Sequence, residues 1–540
     1  MIIHANGLQY EEVREEWVPV RLLDSHQVAR VEELLSPKAA SVSFATAEAD
    51  HCAIFQGGGS WVLLDFGKEI CGGIRLVVRS SPGTVNWRLT FGESVAEACS
   101  TIGVKNATND HSPRDFEIVT SNMSDLTFGQ TGFRFVRLEL LADAEVRVQN
   151  IFASSVLPYF EREASFETND TLLNDILHTA AYTLKLCMQN GYVWDGIKRD
   201  RLVWCGDLHP EMLTALYQFG PIQNIPNALT FLKEQTPIDR WVNDIPPYSV
   251  WWVVNLCDYF AITGDKPYYE QNRDYALAVM ARLNSCIAED GTMNFPGGYG
   301  MEYFLDWSTH QTPDSPSGTS SLFRYAAEKF LAVEENADCR EILRKLVRYI
   351  DTPTTRKPVR AFQVLAGRRQ ADDAAMLQEG GAADLSTFMS YYILTATAQA
   401  GGTDMLQMLK DYYGGMLSRG ATSFWEDFDI RWLEGSSRID ELPKEGELDL
   451  HGDFGKYCYQ QFRHSLCHGW SSGVLAFFVE YILGVHIQNG GERVTVEPHL
   501  LGLTDIEATI PLRDGDLTVS IHNGEMNIVS PVTTTVIEKF

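Results

Sequence analysis

Residues 171–184 read TLLNDILHTAAYTL, and the apolar side chains in this stretch recur with the spacing of one helical face. Those side chains are Leu172, Leu173, Ile176, Leu177, Ala180 and Leu184. Thr168 or Asn169 stands where the N-cap of such a helix is expected. The residues before Leu157 instead alternate between apolar and polar, so a helical part of the chain is predicted to follow a β part.

The β part extends from residue 50 to residue 157. Two of its predicted strands have alternating apolar residues, namely Ile74, Leu76 and Val78, and Val85, Trp87, Leu89 and Phe91. Turns are predicted at Gly57-Gly58-Gly59 and at Ser81-Pro82-Gly83. Half-buried antiparallel strands joined by such turns are typical of a β-sandwich, which we assign to residues 1–160.

Helical patterns continue through residues 161–484, where we expect a central (α/α)6 barrel. Predicted helices cover residues 209–219, 249–263, 270–288, 317–334, 338–351, 383–400, 403–418 and 469–484. Roughly a dozen helices bury their apolar faces by curling into two concentric rings. An open helical solenoid is the alternative, although no clear sequence period supports it. A solvated linker is predicted at the basic residues Arg356, Lys357, Arg360, Arg368 and Arg369.

The alternating pattern returns after residue 485, and it predicts a small C-terminal β-sandwich domain over residues 485–540. Its apolar positions include Val494, Val496, Leu517, Val519 and Ile521. The predicted fold class is therefore multidomain, with a helical barrel between two β-sandwich domains. The sheet edges that a terminal β domain exposes favour a homodimer.

Composition narrows the classes of partner. The 540 residues, 45% of them hydrophobic, are enough for a large core and for two or three domains. A formal net charge of −28 disfavours nucleic acid and anionic lipid as partners and favours a neutral small molecule.

The N-terminal residues lack the pattern of a secretion signal, and no apolar run is long enough to span a membrane. Ten cysteines without CxxC pairs fit a reducing cytoplasm, which is the predicted location.

The densest chemistry lies at residues 194–207, which read WDGIKRDRLVWCGD. Three carboxylates, three cations and two tryptophans are placed there between helical patterns, so the charged groups need partners at the mouth or floor of a cavity. Such a network either holds static ion pairs or keeps one carboxyl group at a chosen protonation state. A site that cleaves a sugar needs a proton-transferring carboxyl and a flat aromatic surface, and this segment offers both.

Hydrolysis of a glycosidic bond needs two carboxyl groups. One protonates the departing oxygen, and the other activates water or attacks carbon. Glu426 is the second candidate, because residues 420–429 read GATSFWEDFD and surround it with aromatic groups. Burial among such groups raises a carboxyl pKa, and aromatic rings stack on sugars. The alternative interpretation places Phe424 and Trp425 in the core and Glu426 at the surface.

Further candidates combine a polar group with a tryptophan. Asp306 and Trp307 follow a glycine-rich turn, and His468 precedes a predicted helix start. Trp251 and Trp252 follow a Pro-Pro pair, and since neighbouring aromatics in a helix point in different directions, one of them, taken as Trp252, is predicted to face the cavity. The sequence contains no HExxH, Walker or GxSxG motif, and hydrolysis by carboxylates needs no metal and no cofactor.

These motifs resemble a known family. The run from Asp195 to Asp207 resembles the signature of the bacterial α-L-rhamnosidases, glycoside hydrolase family 78, and residues 421–426 resemble the second motif of that family. Asp306-Trp307 and His468 occur in comparable contexts. The resemblance covers most of the chain and implies the same order of β-sandwich, (α/α)6 barrel and C-terminal β domain.

The resemblance also implies roles for these residues. The enzyme would release terminal α-L-rhamnose from rhamnosides or oligosaccharides with inversion, with Asp200 as general acid and Glu426 as general base acting through a water. Many members carry Glu at the position of Asp200, and Asp195 or Asp207 is the alternative acid. By the resemblance, the substrate would be bound by Asp195, Arg199, Trp204, Asp207, Trp307, Trp425 and His468. From their own sequence patterns, Trp252 and Asp306 are added to the predicted substrate-binding residues. An inverting site is expected to hold its two carboxyl groups roughly 6.5–9.5 Å apart.

Two other functions fit the same residues. An unsaturated uronyl hydrolase also uses a helical barrel, but it must bind a sugar carboxylate, for which Lys198 and Arg199 are the available cations. A carbohydrate-binding protein without turnover would share the tryptophan surfaces. Two well-placed carboxyl groups favour catalysis over binding alone.

Overall fold

The computed structural model describes residues 2–5, 8–36 and 51–537. Its N-terminal part is a ten-stranded antiparallel sheet in which the hydrogen-bonded order is β1-β2-β10-β6-β9-β7-β8, with β3 paired to β6, β5 to β10 and β4 to β5. The strands are β1 Ile2–Ala5, β2 Leu8–Trp17, β3 Arg21–His26, β4 Val28–Ala29, β5 Ala53–Gln56, β6 Trp61–Ser80, β7 Val85–Gly92, β8 Asp115–Thr120, β9 Asp125–Leu140 and β10 Glu145–Pro158.

The alternation seen in the sequence explains how this sheet forms. In β7 every second side chain from Val85 to Phe91 is buried, and in β6 the same is true of Ile74, Leu76 and Val78. The buried side chains meet in one apolar cluster that includes Phe55, Trp87 and Phe133. The sheet therefore has a core of its own, separate from that of the helical part.

Helices dominate the chain from residue 171 to residue 477, after one short helix, α1 Val95–Ala98. They are α2 Thr171–Cys187, α3 Leu208–Phe219, α4 Asn224–Gln235, α5 Pro246–Thr263, α6 Lys266–Ser285, α7 Ser315–Val333, α8 Ala337–Leu346, α9 Lys357–Leu365, α10 Asp373–Gln378, α11 Ser390–Gln399, α12 Met405–Ser418 and α13 Gly473–Phe477. The cap of α2 is Asp170, whose side chain accepts the N–H of Leu173, so the sequence prediction of Thr168 or Asn169 was wrong. Thr168 belongs to a strand instead.

Six of these helices contact one another in a closed cycle. The helix α3 packs on α5, α5 on α7, α7 on α9, α9 on α11, α11 on α13, and α13 returns to α3. The other long helices pack outside this cycle, as α6 does on α5 and α8 on α7. The predicted site residues other than Trp252, which lies within α5, belong to loops that precede α3, α7 and α13.

The basic segment at residues 356–369 differs from its prediction as a solvated linker. Residues 357–365 form α9, which belongs to the cycle, and Lys357, Arg360 and Arg368 are buried. Arg360 and Arg368 both bind the carboxylate of Asp373, at 2.9 and 2.7 Å. Pairing with Asp373 is what allows these charges to leave solvent.

The last part of the chain forms further strands, β14 Val485–Gln488, β15 Arg493–Val496, β16 Asp505–Leu512, β17 Gly515–His522, β18 Glu525–Val529 and β19 Thr533–Val536. A strand from before the helices, β11 Ser165–Thr168, pairs with β16. Phe166 and Ile506 from these two strands join the same apolar core as the helices. A short hairpin, β12 Gly455–Lys456 and β13 Tyr459–Gln460, lies within the helical part. Over the described ranges, no helix is both long and apolar enough to cross a membrane.

Candidate active site

The segment at residues 194–207 folds back on itself between α2 and α3. The side-chain Oδ1 of Asp195 accepts the N–H of Leu202 at 2.9 Å, and the carbonyl of Asp195 accepts the N–H of Gly469 at 2.7 Å. Asp195 is buried, and burial together with the nearby Asp200 and Asp207 holds its pKa well above the usual value of a carboxyl group. Asp195 thus closes the loop and ties it to the chain ahead of α13.

Glu426 lies in the loop between α12 and α13 and is buried. Its N–H donates to the carbonyl of Ser465 at 3.0 Å, and its Oε2 accepts the N–H of Ser465 at the same distance. Phe424 and Trp425 are core residues, as the alternative interpretation expected, but Glu426 turns inward rather than to the surface. The loop therefore aims the carboxyl group of Glu426 at the 194–207 segment.

Arg199 joins the two segments. Its Nη2 binds Oε1 of Glu426, and its Nη1 lies 2.8 Å from Oδ1 of Asp200. The guanidinium is buried and stacks over the ring of Tyr459, with 5.6 Å between the guanidinium carbon and the ring centre. The structure thus brings Asp200 and Glu426, which are far apart in sequence, onto one cation.

His468 completes this cluster. Its Nε2 lies 3.6 Å from Oε1 of Glu426 and 3.8 Å from Oδ2 of Asp195. Burial, with the charge of Arg199 acting in the same direction, holds the pKa of His468 well below its usual value. The imidazole is therefore neutral near pH 7 and adds no second positive charge beside Arg199.

Asp207 and Trp204 lie on the other side of the segment. Oδ1 of Asp207 accepts the hydroxyl of Tyr248 at 3.1 Å, and the ring of Trp204 packs edge-on against Tyr248 at 6.2 Å between ring centres. Burial is the main cause that raises the pKa of Asp207 to about 8. Tyr248, in the first turn of α5, has no signal in the sequence that distinguishes it from the surrounding apolar residues.

A cavity of about 410 Å³ opens beside Glu426. Its lining includes Glu426, Asp306 and Trp307 among the predicted residues. Oδ2 of Asp306 accepts the hydroxyl of Ser308 at 2.6 Å, and the ring of Trp307 stacks on Tyr457 of the hairpin at 6.3 Å. The other predicted residues, Asp195, Arg199, Asp200, Trp204, Asp207, Trp252, Trp425 and His468, are outside this lining.

Two predicted sugar-binding tryptophans lie in the core instead. Trp252 is fully buried, donates its Nε1–H to the carbonyl of Leu229 at 2.9 Å and packs edge-on against Tyr275. Trp425 is 1% exposed and packs edge-on against Phe428. Their aromatic bulk fills space between helices, so neither ring presents a face to the cavity.

The cavity also contains residues that the sequence interpretation did not select. Asp427 follows Glu426 directly; its Oδ1 accepts the N–H of Phe428 at 2.9 Å, whereas its Oδ2 is buried without a hydrogen-bond partner among the described residues. Burial, with Asp306 acting in the same direction, raises the pKa of Asp427 to about 7. Lys357 donates to the carbonyls of Gly381 and Ala383. The only sequence signal for Asp427 was its position beside Glu426.

Among the described residues, Glu93, Glu97 and His451 form one buried group of potential metal ligands. The ammonium group of Lys198 lies 2.9 Å from Glu93 and 3.2 Å from Glu97. These two carboxylates are therefore already paired with a cation. The arrangement is an internal ion cluster rather than an open metal centre.

The bridging role of Arg199 predicts a coupled effect on stability. Arg199→Met should lower the free energy of unfolding by roughly 3–5 kcal/mol, because it leaves the buried Glu426 without a cation. Arg199→Met combined with Glu426→Gln should be less destabilised than Arg199→Met alone. Urea denaturation of the two single variants and the double variant measures this coupling, and strictly additive effects would contradict it.

The raised pKa of Asp427 predicts a pH effect. A carboxyl with a pKa of about 7 in the folded state and about 3.9 in the unfolded state binds more protons when folded, so its contribution makes the protein less stable as pH rises from about 4 to about 7. Asp427→Asn removes that contribution, and its Tm should fall less between pH 5 and pH 7.5 than that of the wild type. Asp274→Asn, at a fully solvated side chain, is the control and should follow the wild type. Parallel Tm curves for all three proteins would refute the raised pKa.

Comparison with known proteins places this site in context. Residues 161–268 match the family model described as the bacterial alpha-L-rhamnosidase six-hairpin glycosidase domain. A search of curated proteins gave no match. Thirty chains among the solved structures match all or part of this chain.

Rhamnosidases are among these structures. The GH78 family rhamnosidase of Bacillus sp. GL1 has a TM-score of 0.72 and 18% identity, covering 94% of this chain and 55% of that one. The rhamnosidase from Klebsiella oxytoca with rhamnose bound has a TM-score of 0.67 and 19% identity, covering 87% and 96%. The Streptomyces avermitilis alpha-L-rhamnosidase complexed with L-rhamnose has a TM-score of 0.61 and 16% identity, covering 89% and 50%.

This chain thus spans 55% of the Bacillus protein and nearly the full length of the Klebsiella protein. At these identities the structural likeness concerns the fold. Residues 161–268 thus match the bacterial alpha-L-rhamnosidase domain model, and the chain shares its fold with the solved rhamnosidase structures named above.

Proposed function

We propose that this chain is an inverting glycoside hydrolase that releases terminal α-L-rhamnose from rhamnosides. The observation that carries the proposal is the meeting of Asp200 and Glu426 on the guanidinium of Arg199. Asp200 is the general acid that protonates the departing oxygen, and Glu426 is the general base that takes a proton from the attacking water. Both carboxyl groups belong to loops at the end of the helical cycle where the cavity opens.

Arg199 matches the charge changes of this reaction. Before bond cleavage Asp200 carries a proton and Glu426 is the carboxylate that pairs with Arg199. After cleavage Asp200 has given its proton to the leaving group and Glu426 has received one from water, so Asp200 becomes the carboxylate that pairs with Arg199. The total charge of the three groups is unchanged, and one buried cation is balanced by one carboxylate in both states.

The surrounding residues bind the sugar. The cavity offers the carboxyl groups of Asp306 and Asp427 to hydroxyl groups and the ring of Trp307 to the apolar face of a deoxy sugar. Asp195, Asp207, Trp204 and His468 form the adjoining wall and orient Arg199 and the sugar. We assign Trp252 and Trp425 no contact with substrate, because both rings are enclosed in the core.

The proposed architecture supports this assignment. We interpret the cycle of α3, α5, α7, α9, α11 and α13 as the inner ring of an (α/α)6 barrel over residues 161–484, with the N-terminal strands of residues 1–160 as a β-sandwich and residues 485–540 as a small C-terminal β-sandwich. The closed order of helix contacts favours this barrel over an open solenoid. Pairing of Ser165–Thr168 with Asp505–Leu512 shows that a boundary at residue 160 leaves one strand of the terminal sheet on the barrel side.

The rival activity, hydration of unsaturated uronides, has less support from the site. It requires a cation free to bind a sugar carboxylate, and Lys198 and Arg199 were the candidates. Lys198 is buried and binds Glu93, Glu97 and the carbonyl of His464, while Arg199 binds Glu426 and Asp200. Assaying unsaturated uronides beside rhamnosides distinguishes the two activities, and turnover of uronides alone would reject our proposal.

Removing the base should stop turnover but not binding. Glu426→Gln keeps the size of the side chain and its acceptor for the N–H of Ser465, but it does not take up a proton from water. We expect kcat on 4-nitrophenyl α-L-rhamnoside to fall by about 10³-fold or more, with rhamnose affinity by calorimetry changed only slightly. Asp274→Asn is the control. Undiminished turnover in Glu426→Gln would reject Glu426 as the base.

The stereochemistry tests the inverting mechanism directly. Proton NMR during the first minutes of hydrolysis should show β-L-rhamnose before the anomers equilibrate, because water attacks the face opposite to the leaving group. Initial appearance of α-L-rhamnose would indicate retention. In that case Glu426 would be a nucleophile rather than a base.

A further inference from the structure

We propose that a second cavity, at the end of the helical cycle opposite to the loops that carry Asp200 and Glu426, binds a neutral saccharide. This distal cavity has a volume of about 510 Å³, and small-molecule sites in proteins measure about 300–1,000 Å³. Residues that line it include Tyr217, Asp258, Lys329, Tyr391 and Glu480. None of the proposed catalytic or sugar-binding residues belongs to this lining, so the inference goes beyond the proposed hydrolysis and does not depend on it.

The distal cavity lies at the C-terminal ends of the helices of the cycle. Asp258 and Lys329 belong to the second halves of α5 and α7, and Leu365 of the lining is the last residue of α9. The catalytic cavity is lined instead by residues that precede or begin the same helices, such as Trp307 ahead of α7 and Lys357 at the start of α9. The two cavities are therefore separate and can be occupied at the same time.

Polar groups that already have partners line the distal cavity. Nζ of Lys329 lies 2.7 Å from Oδ1 of Asp258. The two oxygens of Glu480 accept the hydroxyls of Tyr217 and Tyr391, at 2.9 and 2.7 Å. Burial, with Glu480 acting in the same direction, holds the pKa of both phenols well above the usual value, so they keep their protons. An ammonium group has three protons and a carboxyl oxygen more than one lone pair, so donors and acceptors remain for a ligand.

Aromatic rings supply the flat surfaces of the distal cavity. The ring of Tyr481 stacks on His499, with 4.4 Å between ring centres and 7° between the planes, and both residues belong to the lining. The ring of Tyr325 lies beside Lys329, whose Nζ is 5.3 Å from the ring centre. A sugar has a C–H face that packs on such rings and hydroxyl groups that need both donors and acceptors. The lining therefore matches both surfaces of a sugar ring.

The charges of the distal cavity favour a ligand without net charge. In the lining that the structure describes, Lys329 is the one lysine or arginine, whereas three residues carry carboxyl groups, namely Asp258, Glu480 and Glu497. The C-terminal ends of helices add partial negative charge, so an anion is repelled. A cationic ligand would meet the ammonium group of Lys329, which already neutralises Asp258. A neutral saccharide meets neither obstacle.

Saturation-transfer NMR tests the binding, with D-glucose, D-galactose and L-rhamnose as probes. Ala261 is an exposed residue of the lining, and an indole at this position fills the mouth of the distal cavity. Ala281→Trp, at an exposed alanine of α6 outside this lining, is the matched control. At least one sugar should receive saturation from the wild type and from Ala281→Trp, and should lose most of it with Ala261→Trp. Transfer that persists in Ala261→Trp belongs to the catalytic cavity.

A change at Glu480 tests the polar contacts. Glu480→Gln removes the charge and one of the two acceptor oxygens, so the Kd of the bound sugar should rise by about 10-fold. Ala281→Trp should leave this Kd unchanged, and the Tm of each variant shows that it is folded. An unchanged Kd in Glu480→Gln would contradict the assignment of this carboxyl group to the site.

D-glucuronate and D-glucosamine test the preference for a neutral ligand, because they carry a negative and a positive charge on the same ring. Both should receive less saturation at the distal cavity than D-glucose. Binding of either charged sugar there without binding of a neutral one would overturn the inference. Equal transfer to every neutral sugar from the wild type, Ala281→Trp and Ala261→Trp would also overturn it. Neither result depends on whether the protein hydrolyses rhamnosides, so failure of this inference and failure of the proposed function are distinguishable.

Discussion

The site depends on one buried guanidinium that two carboxyl groups share. Arg199 cannot leave its place without exposing Glu426 to an apolar interior, and Glu426 cannot turn outward without leaving Arg199 unpaired. Two loops more than 200 residues apart must therefore meet each time the chain folds. Backbone hydrogen bonds from Glu426 to Ser465 and from Gly469 to Asp195 hold the loops at that distance, so the charge pair is supported by main-chain geometry.

The sheet-rich N-terminal region takes part in the same arrangement. Glu93 accepts the hydroxyl of Ser465, the residue whose backbone pairs with Glu426, and the N–H of the next residue, Leu466. Lys198 donates to the carbonyls of Phe462 and His464. Buried ion pairs thus link the sheet to the loops of the site, and Nδ1 of His111 accepts the backbone N–H of Asp200. The site is therefore shared between a sheet with its own core and the loops of the helices.

Much of this organisation was predictable from the sequence, because periodicity reports which side of an element is buried. The change at residue 171, the strands of β6 and β7 and the meeting of the 194–207 segment with Glu426 follow from pattern and residue type. Contacts between residues that are far apart in the sequence do not follow from pattern or residue type. Arg360 and Arg368 were predicted to be solvated because their shared partner, Asp373, cannot be recognised from the sequence. Trp252 and Trp425 were predicted to bind sugar for the same reason. A tryptophan that fills a core and a tryptophan that lines a cavity are the same residue type in the sequence.

The pairing of Ser165–Thr168 with Asp505–Leu512 has a consequence for biosynthesis. The first strand of the helical part has its partner more than 300 residues downstream, so the two strands cannot pair until residues 505–512 have left the ribosome. Closing so large a loop is slow, and the apolar core shared by the helices and the terminal strands is incomplete until it closes. Completion of this core therefore waits for the synthesis of a segment that lies far along the chain from the strand it pairs with.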